Sequence, residues 1–176
     1  MLLDLTRLQG PREHFERTLQ PSLFEPPDPE YRIAAPVELS IDVAKTGADS
    51  FNVTGRVRTR MALECSRCLE GFEIPVESNF ELRYLPQSQN SGQAEQEIAA
   101  DDLETAYYRD GSLDVLDLVR EQFQLVLPMK PLHDEACRGL CAECGANLNR
   151  TDCGHAPVWE DPRLALLKGL LNRSKE

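Results

Sequence analysis

LHDEACRGLCAECGANLNRTDCGH, residues 132–155, sets the terms for the rest of the chain. It holds four of the six cysteines, Cys137, Cys141, Cys144 and Cys153, and two of the three histidines, His133 and His155. The other cysteines, Cys65 and Cys68, form a C-x-x-C upstream. Thiolate and imidazole are the ligands of tetrahedral zinc, and ligands two to four residues apart let one turn of chain fill two corners. The pairs are Cys65/Cys68, His133/Cys137, Cys141/Cys144 and Cys153/His155. They supply enough ligands for two closed sites. The favoured partition puts Cys65, Cys68, His133 and Cys137 on one Zn2+ and Cys141, Cys144, Cys153 and His155 on a second. A simpler alternative puts a single ion on Cys137, Cys141, Cys144 and Cys153 and leaves Cys65 and Cys68 idle. Disulfides are a third arrangement, since the cysteine count is even.

Upstream of this tail the pattern is that of a sheet. Val37, Leu39, Ile41 and Val43 alternate with polar residues, the period-two mark of a half-buried strand. A turn at residues 46–49 follows. Phe51, Val53, Gly55, Val57, Thr59 and Met61 then take one face of a second strand, with Arg56, Arg58 and Arg60 on the other. Cys65 and Cys68 fall in the turn before a third strand over residues 72–85. A C-x-x-C between two strands reads as a metal knuckle, because the redox version opens a helix in a βαβ unit. Residues 105–108 form a short fourth strand.

Residues 112–127 carry an apolar stripe, Leu113, Leu116, Val119, Phe123 and Val126, at helical spacing. Asp114 and Asp117 suit its positive N-terminal end, and Pro128 stops it. A shorter helix is expected over residues 11–20, with Pro11 at its first position and His14 exposed. Pro26, Pro27 and Pro29 exclude regular structure over residues 24–31. Residues 86–97 are polar and read as a surface loop. A last helix is expected from Asp161, its N-cap, through Leu164, Leu167, Leu170 and Leu171. The expected fold is therefore α+β: an antiparallel sheet or partial barrel with packed helices and a C-terminal zinc-binding tail. Three parts follow: residues 1–35 peripheral, 36–131 the sheet-plus-helix core, and 132–176 the tail with its last helix.

At 176 residues and 41% apolar content, the chain is long enough to bury a core without metal carrying the whole fold. No apolar run reaches the ~18 residues that a membrane span needs. The first residues lack the basic start and apolar stretch of a secretory signal, so a cytoplasmic location is expected. There thiols stay reduced, which favours metal over disulfides. The net charge of −11 argues against a broad nucleic-acid groove. Any RNA contact needs a local basic patch. Arg56, Arg58 and Arg60, about 7 Å apart along one strand, with Arg67 in the knuckle, are that patch. The plainer reading of the same residues is a solvated sheet face. No zinc-protease or deaminase motif appears, nor a phosphate-cradling glycine loop or a nucleophile elbow. The ligand pairs look closed, which argues against a catalytic metal.

The segments CSRCLEGFEIPV, LVREQFQLVLPMKPLHDEACRGLCAECGANLN and DPRLALLKGLL, in this order, closely resemble the YceD family of large ribosomal RNA subunit accumulation proteins. The resemblance covers roughly residues 35–173. Fuller versions of the family pattern carry cysteine where this chain has His133 and His155, which keeps the ligand capacity. Other members lack much of the 141–155 region, so a second ion is not essential to the common role. The resemblance implies a bacterial cytosolic protein, not an enzyme, that supports synthesis, processing or stability of large-subunit (23S) ribosomal RNA. Its partner would be ribosomal RNA or a ribosomal or assembly protein. The alternative is an acidic adaptor that recruits a basic ribosomal protein.

Overall fold

The computed structural model describes residues 1–8, 10–89 and 104–155. Its centre is a meander of three strands, β4 (Val37–Lys45), β5 (Phe51–Glu64) and β6 (Gly71–Pro86). Val37, Leu39, Ile41 and Val43 of β4 are buried, as are Phe51, Val53, Val57, Thr59, Met61 and Leu63 of β5. The alternation expected from the sequence is thus the one observed. β5 and β6 stay in antiparallel register from Phe51↔Tyr84 to Glu64↔Gly71, and the C-x-x-C turn closes the hairpin.

Shorter strands extend the meander. β2 (Arg12–Leu19) pairs antiparallel with β4 along one edge, and β7 (Thr105–Tyr108) pairs parallel with β6 along the other. β3 (Arg32–Ile33) pairs with β5 on the same side as β4. Between them, residues 34–37 face only Thr59 and Arg60. Extra residues of this kind bend the strand and increase its twist. Thr59 fills the bend by donating from Oγ1 to the carbonyl of Ala35 at 2.9 Å. Gly55 adds to the curl. A Cβ there would lie 2.8 Å from the Ser40 carbonyl and would also strike the Phe80 ring, which packs over the glycine. The sheet curls into a half-barrel.

One α-helix among the described residues, α1 (Val115–Val126), closes the concave side. Val115, Leu118, Val119 and Phe123 are buried, and the Phe123 ring lies 6.0 Å from that of Phe24 and 6.2 Å from that of Tyr31. Ser78 of β6 donates to Gln122 Oε1 at 3.2 Å, a buried polar pair that fixes the helix against the sheet. Asp114 caps the helix, its Oδ1 accepting from the Leu116 amide at 2.9 Å.

Two helical expectations change. Where a helix is expected over residues 11–20, Arg12–Leu19 form strand β2. Phe15 and Leu19 are four apart, a spacing that both periods satisfy, and the open edge of β4 decides for the strand. The helix expected over 112–127 begins later, because Ser112–Asp114 is β8, paired with β1 (Leu2–Asp4). Its inner stripe is therefore shifted: Leu113 is buried from β8, while Leu116 and Val126 are only partly covered. The helix expected from Asp161 lies outside the described residues. The expectation of packed helices gives way to a mostly β fold with one α-helix among the described residues. Residues 1–35, read as peripheral, contribute β1, β2 and β3, and send Leu5, Leu19, Phe24 and Tyr31 into the core. Residues 25–31 carry no regular structure, as their prolines require.

Candidate metal centres

The end of the β5–β6 hairpin is where the tail docks. Its turn is closed by the Cys65 amide bonding to the Glu70 carbonyl and by the Leu69 amide bonding to the Cys65 carbonyl. Leu69 sits at φ +60 to complete it. The tail runs past this turn twice. The Ser66 amide donates to the Pro131 carbonyl at 2.9 Å, and the Leu140 amide donates to the Arg67 carbonyl at 3.0 Å. Gly139, at φ +77, is required here, because a Cβ would lie 3.0 Å from that same carbonyl. Arg67 answers with its side chain. Its Nη1 donates to the carbonyls of Glu135 at 2.9 Å and Cys137 at 2.8 Å.

This docking brings Cys65, Cys68, His133 and Cys137 together, with their ligand atoms all within 4.8 Å of one another. Cys65 Sγ lies 3.8 Å from Cys137 Sγ, and Cys68 Sγ lies 3.5 Å from His133 Nδ1. A tetrahedral zinc with ordinary bond lengths has sulfur–sulfur edges of about 3.8 Å and sulfur–nitrogen edges of about 3.6 Å. The observed separations fit both, and they far exceed the ~2 Å of a disulfide. The three cysteines are 0%, 4% and 4% exposed, under Phe72, Leu132 and Leu140, and the His133 ring stands edge-on to Phe72 at 6.4 Å.

The second cluster gathers Cys141, Cys144, Cys153 and His155 under the same 4.8 Å limit. Cys141 Sγ is 3.8 Å from His155 Nδ1. A tight turn holds its first half: the Gly145 amide bonds to the Cys141 carbonyl, and the Cys141 amide bonds to the Ala146 carbonyl. Cys141 is buried, Cys153 half-buried, and Cys144 and His155 exposed. The tail is further tied down by Arg150, whose Nη2 meets Glu70 at 2.6 Å.

The electrostatics of each cluster are those of crowded thiols. Burial alone would raise Cys65. The amides of His133, Arg67 and Cys68, all aimed at its sulfur, outweigh that and bring it down to about 5. Burial and the neighbouring sulfurs of Cys65 and Cys137 push Cys68 up to about 11. In the second cluster the amides of Cys144 and Glu143 lower Cys141 to about 6, while Cys153 is raised beside it. Adjacent thiols cannot all ionise unaided. A divalent cation removes that conflict and deprotonates its ligands. Amides directed at the first cysteine of each knuckle are the outer support that holds such ligands in place. Both clusters can therefore hold metal ions, and the side chains gather in the two groups of four that the favoured partition names. The alternative grouping of Cys137 with Cys141, Cys144 and Cys153 is not the arrangement observed.

Asn149 was not singled out in the sequence. Its Nδ2 donates to Cys137 Sγ at 3.3 Å, and its Oδ1 accepts from the Arg138 amide at 2.8 Å. Nothing in the local pattern marks an asparagine twelve residues past a cysteine as its partner.

The arginines of β5 lie on the convex face, as the alternation requires, but in company. Arg56 and Arg58 both reach Glu77 of β6, through their Nε atoms at 3.2 and 3.1 Å, and Arg60 reaches Glu73 at 3.5 Å. Arg56 also donates to Asn79 at 2.9 Å. Arg67 stands apart from this row, occupied with the tail carbonyls.

A curled half-barrel with a tail fastened by two sites fit for metal ions is the class of protein that these features define. The sequence model described as "Large ribosomal RNA subunit accumulation protein YceD" matches residues 53–171, which run from β5 through the hairpin turn and both clusters. The chain belongs to the YceD family. It is 27% identical over 145 residues to "Large ribosomal RNA subunit accumulation protein YCED homolog 1, chloroplastic" of Arabidopsis thaliana, covering 70% of this chain and 45% of that one. It is 28% identical over 157 residues to the protein of the same name in Zea mays, covering 77% and 53%. It is also 29% identical over 138 residues to an uncharacterised protein of Mycobacterium leprae, covering 78% and 60%. The chain spans about half the length of these curated relatives. No solved structure matches it. No helix among the described residues is long and apolar enough to cross a membrane.

Proposed function

We propose that this protein is a non-enzymatic, zinc-stabilised factor that supports the accumulation of large-subunit ribosomal RNA in the bacterial cytoplasm. The family match over residues 53–171 carries the reading. Zinc is the ion favoured for both clusters, because three sulfurs and one imidazole nitrogen at tetrahedral spacing suit it. Each ion would have four protein ligands and no open position for a substrate or an activated water, which supports a structural rather than catalytic metal. In this reading Arg56, Arg58 and Arg60 are the face offered to RNA phosphates, with Arg67 nearby at the knuckle.

The test is depletion of the protein, with large- and small-subunit ribosomal RNA quantified separately. The large-subunit RNA is expected to fall relative to the small, and the wild-type chain to restore it. An unchanged ratio overturns the proposal. Arg56→Gln/Arg58→Gln/Arg60→Gln tests the RNA face. Glutamine is used because glutamate would be set against Glu73 and Glu77 and would confound binding with repulsion. Unchanged affinity for ribosomal RNA fragments removes that face.

The ion pairs of the arginine row favour a second reading. Glu77 and Glu73 already answer those charges, and the chain as a whole carries −11. An acidic adaptor that recruits a basic ribosomal protein fits both observations. Binding measured against ribosomal proteins and against RNA fragments, across a salt series, separates the two.

A further inference from the structure

A groove of about 1070 Å³ opens where the loop before β3, the end of the β5–β6 hairpin and the chain beyond α1 meet. Part of its lining is apolar: Phe72 and Leu127 are half-buried there, over the buried Tyr31 and Leu63. Met129 lines it too and is fully exposed, although nothing in its position on the chain demands an apolar residue in water. Its charged residues are mostly acidic. Asp28, Glu30, Glu64 and Glu73 line the groove against one cation, Arg32. Glu73 is engaged with Arg60, whereas Glu30 and Glu64 have no ion-pair partner among the described residues.

We infer that this groove docks a lysine- and arginine-rich protein segment through an apolar anchor residue. This rests on the adaptor reading and names its partner surface. The carboxylates complement a basic segment, and Phe72, Leu127 and Met129 receive the anchor. RNA is excluded by the same charges, which would repel its phosphates. The groove meets the convex arginine row at Glu73, which pairs with Arg60, whereas the partner of Arg56 and Arg58, Glu77, does not line it.

The experiment uses the full chain and a fluorescein-labelled twelve-residue peptide of alternating Lys and Arg with one central Leu. A control peptide has Ser in place of that Leu. Tight binding is expected for the Leu peptide, with several-fold weaker binding of the Ser control. Glu30→Lys/Glu64→Lys is expected to weaken binding by about tenfold or more at low salt, and Met129→Ser by several-fold. Met129 is exposed, so its variant folds even where a change beside Cys65 does not. Arg12→Gln, exposed on β2 and away from the groove lining, is expected to leave peptide binding unchanged. Equal binding of both peptides, or insensitivity to Met129→Ser and to the charge reversal together, overturns the proposal. So does peptide binding that appears only when the chain is cut after His155, because the chain's own continuation then fills the groove. Dimerisation abolished by Met129→Ser makes it a self-interface and overturns it as well. The depletion test reads the ribosomal role without this groove, so either result can fail alone.

Discussion

The sulfurs of Cys65 and Cys137 lie 3.8 Å apart, although 72 residues separate them in sequence. That distance matches the edge of a zinc–thiolate tetrahedron, and the contact lies where the tail docks on the hairpin turn. Purified under reducing conditions without chelator, the protein is expected to hold two zinc ions per chain by elemental analysis. His133→Ala is expected to lose one and His155→Ala the other. A single ion that survives both changes contradicts the partition seen here.

Release should follow burial. The three cysteines of the first cluster are almost wholly covered, whereas Cys144 and His155 of the second are exposed. A chromogenic chelator should therefore draw metal in two phases, with the fast phase absent in His155→Ala. One phase, or a fast phase lost in His133→Ala instead, contradicts this order.

Arg67 and Arg58 make a matched comparison. Arg67 donates to two tail carbonyls, while Arg58 pairs with Glu77 on an open sheet face. Arg67→Ala is expected to destabilise by about 1–3 kcal/mol, in the range of hydrogen bonds from a charged donor. Arg58→Ala should cost about 0–1 kcal/mol. Denaturant unfolding of both variants gives the comparison, and equal losses would argue against the clamp.

Gly55→Ala should destabilise by about 1–3 kcal/mol, because the new methyl meets the Ser40 backbone as well as the Phe80 ring. The added Phe80→Leu change should recover part of the loss, since it relieves one of the two contacts. A melting temperature unmoved by Gly55→Ala would show that the sheet is not curled tightly at this point.

His14 projects from β2 toward Glu16 at 3.4 Å and Asp42 at 3.1 Å. Hydrogen bonds to Glu16 and then Asp42 raise its pKa above the usual 6.5. A raised folded-state pKa stabilises below the unfolded value, and the gain is lost as pH rises through the folded one. The ring resonances should titrate above 6.5 in the native protein, and Glu16→Gln/Asp42→Asn should return the midpoint toward that value. A midpoint at or below 6.5 in the wild type would show that the pairs do not form in solution.

Strands β4, β5 and β6 were legible because one face is mostly apolar, with Thr59 and Ser78 as polar exceptions, and period two persists over nine or more residues. The ligand clusters were legible because only cysteine and histidine supply that chemistry at those spacings. The strand β2 was not, because Phe15 and Leu19 satisfy both periods and only the waiting edge of β4 decides. Nor was the neutralisation of Arg56, Arg58 and Arg60. It depends on which residues of β6 come opposite, and register is a tertiary fact. Asn149 and the docking role of Arg67 depend on where the tail crosses the hairpin turn, which no local pattern encodes.

The two clusters differ in how much chain each must gather before it can exist. Cys141 and His155 are 14 residues apart, so the second can close within the tail alone. The first needs the β5–β6 turn already built, because two of its ligands sit there and two arrive from beyond α1. Bringing distant segments together is slow, and the entropy of closure grows with the span. During refolding with scarce zinc, the second cluster is therefore set to fill first, and the first to fill last and be held longest. Occupancy of the first cluster then reports a chain whose sheet is complete.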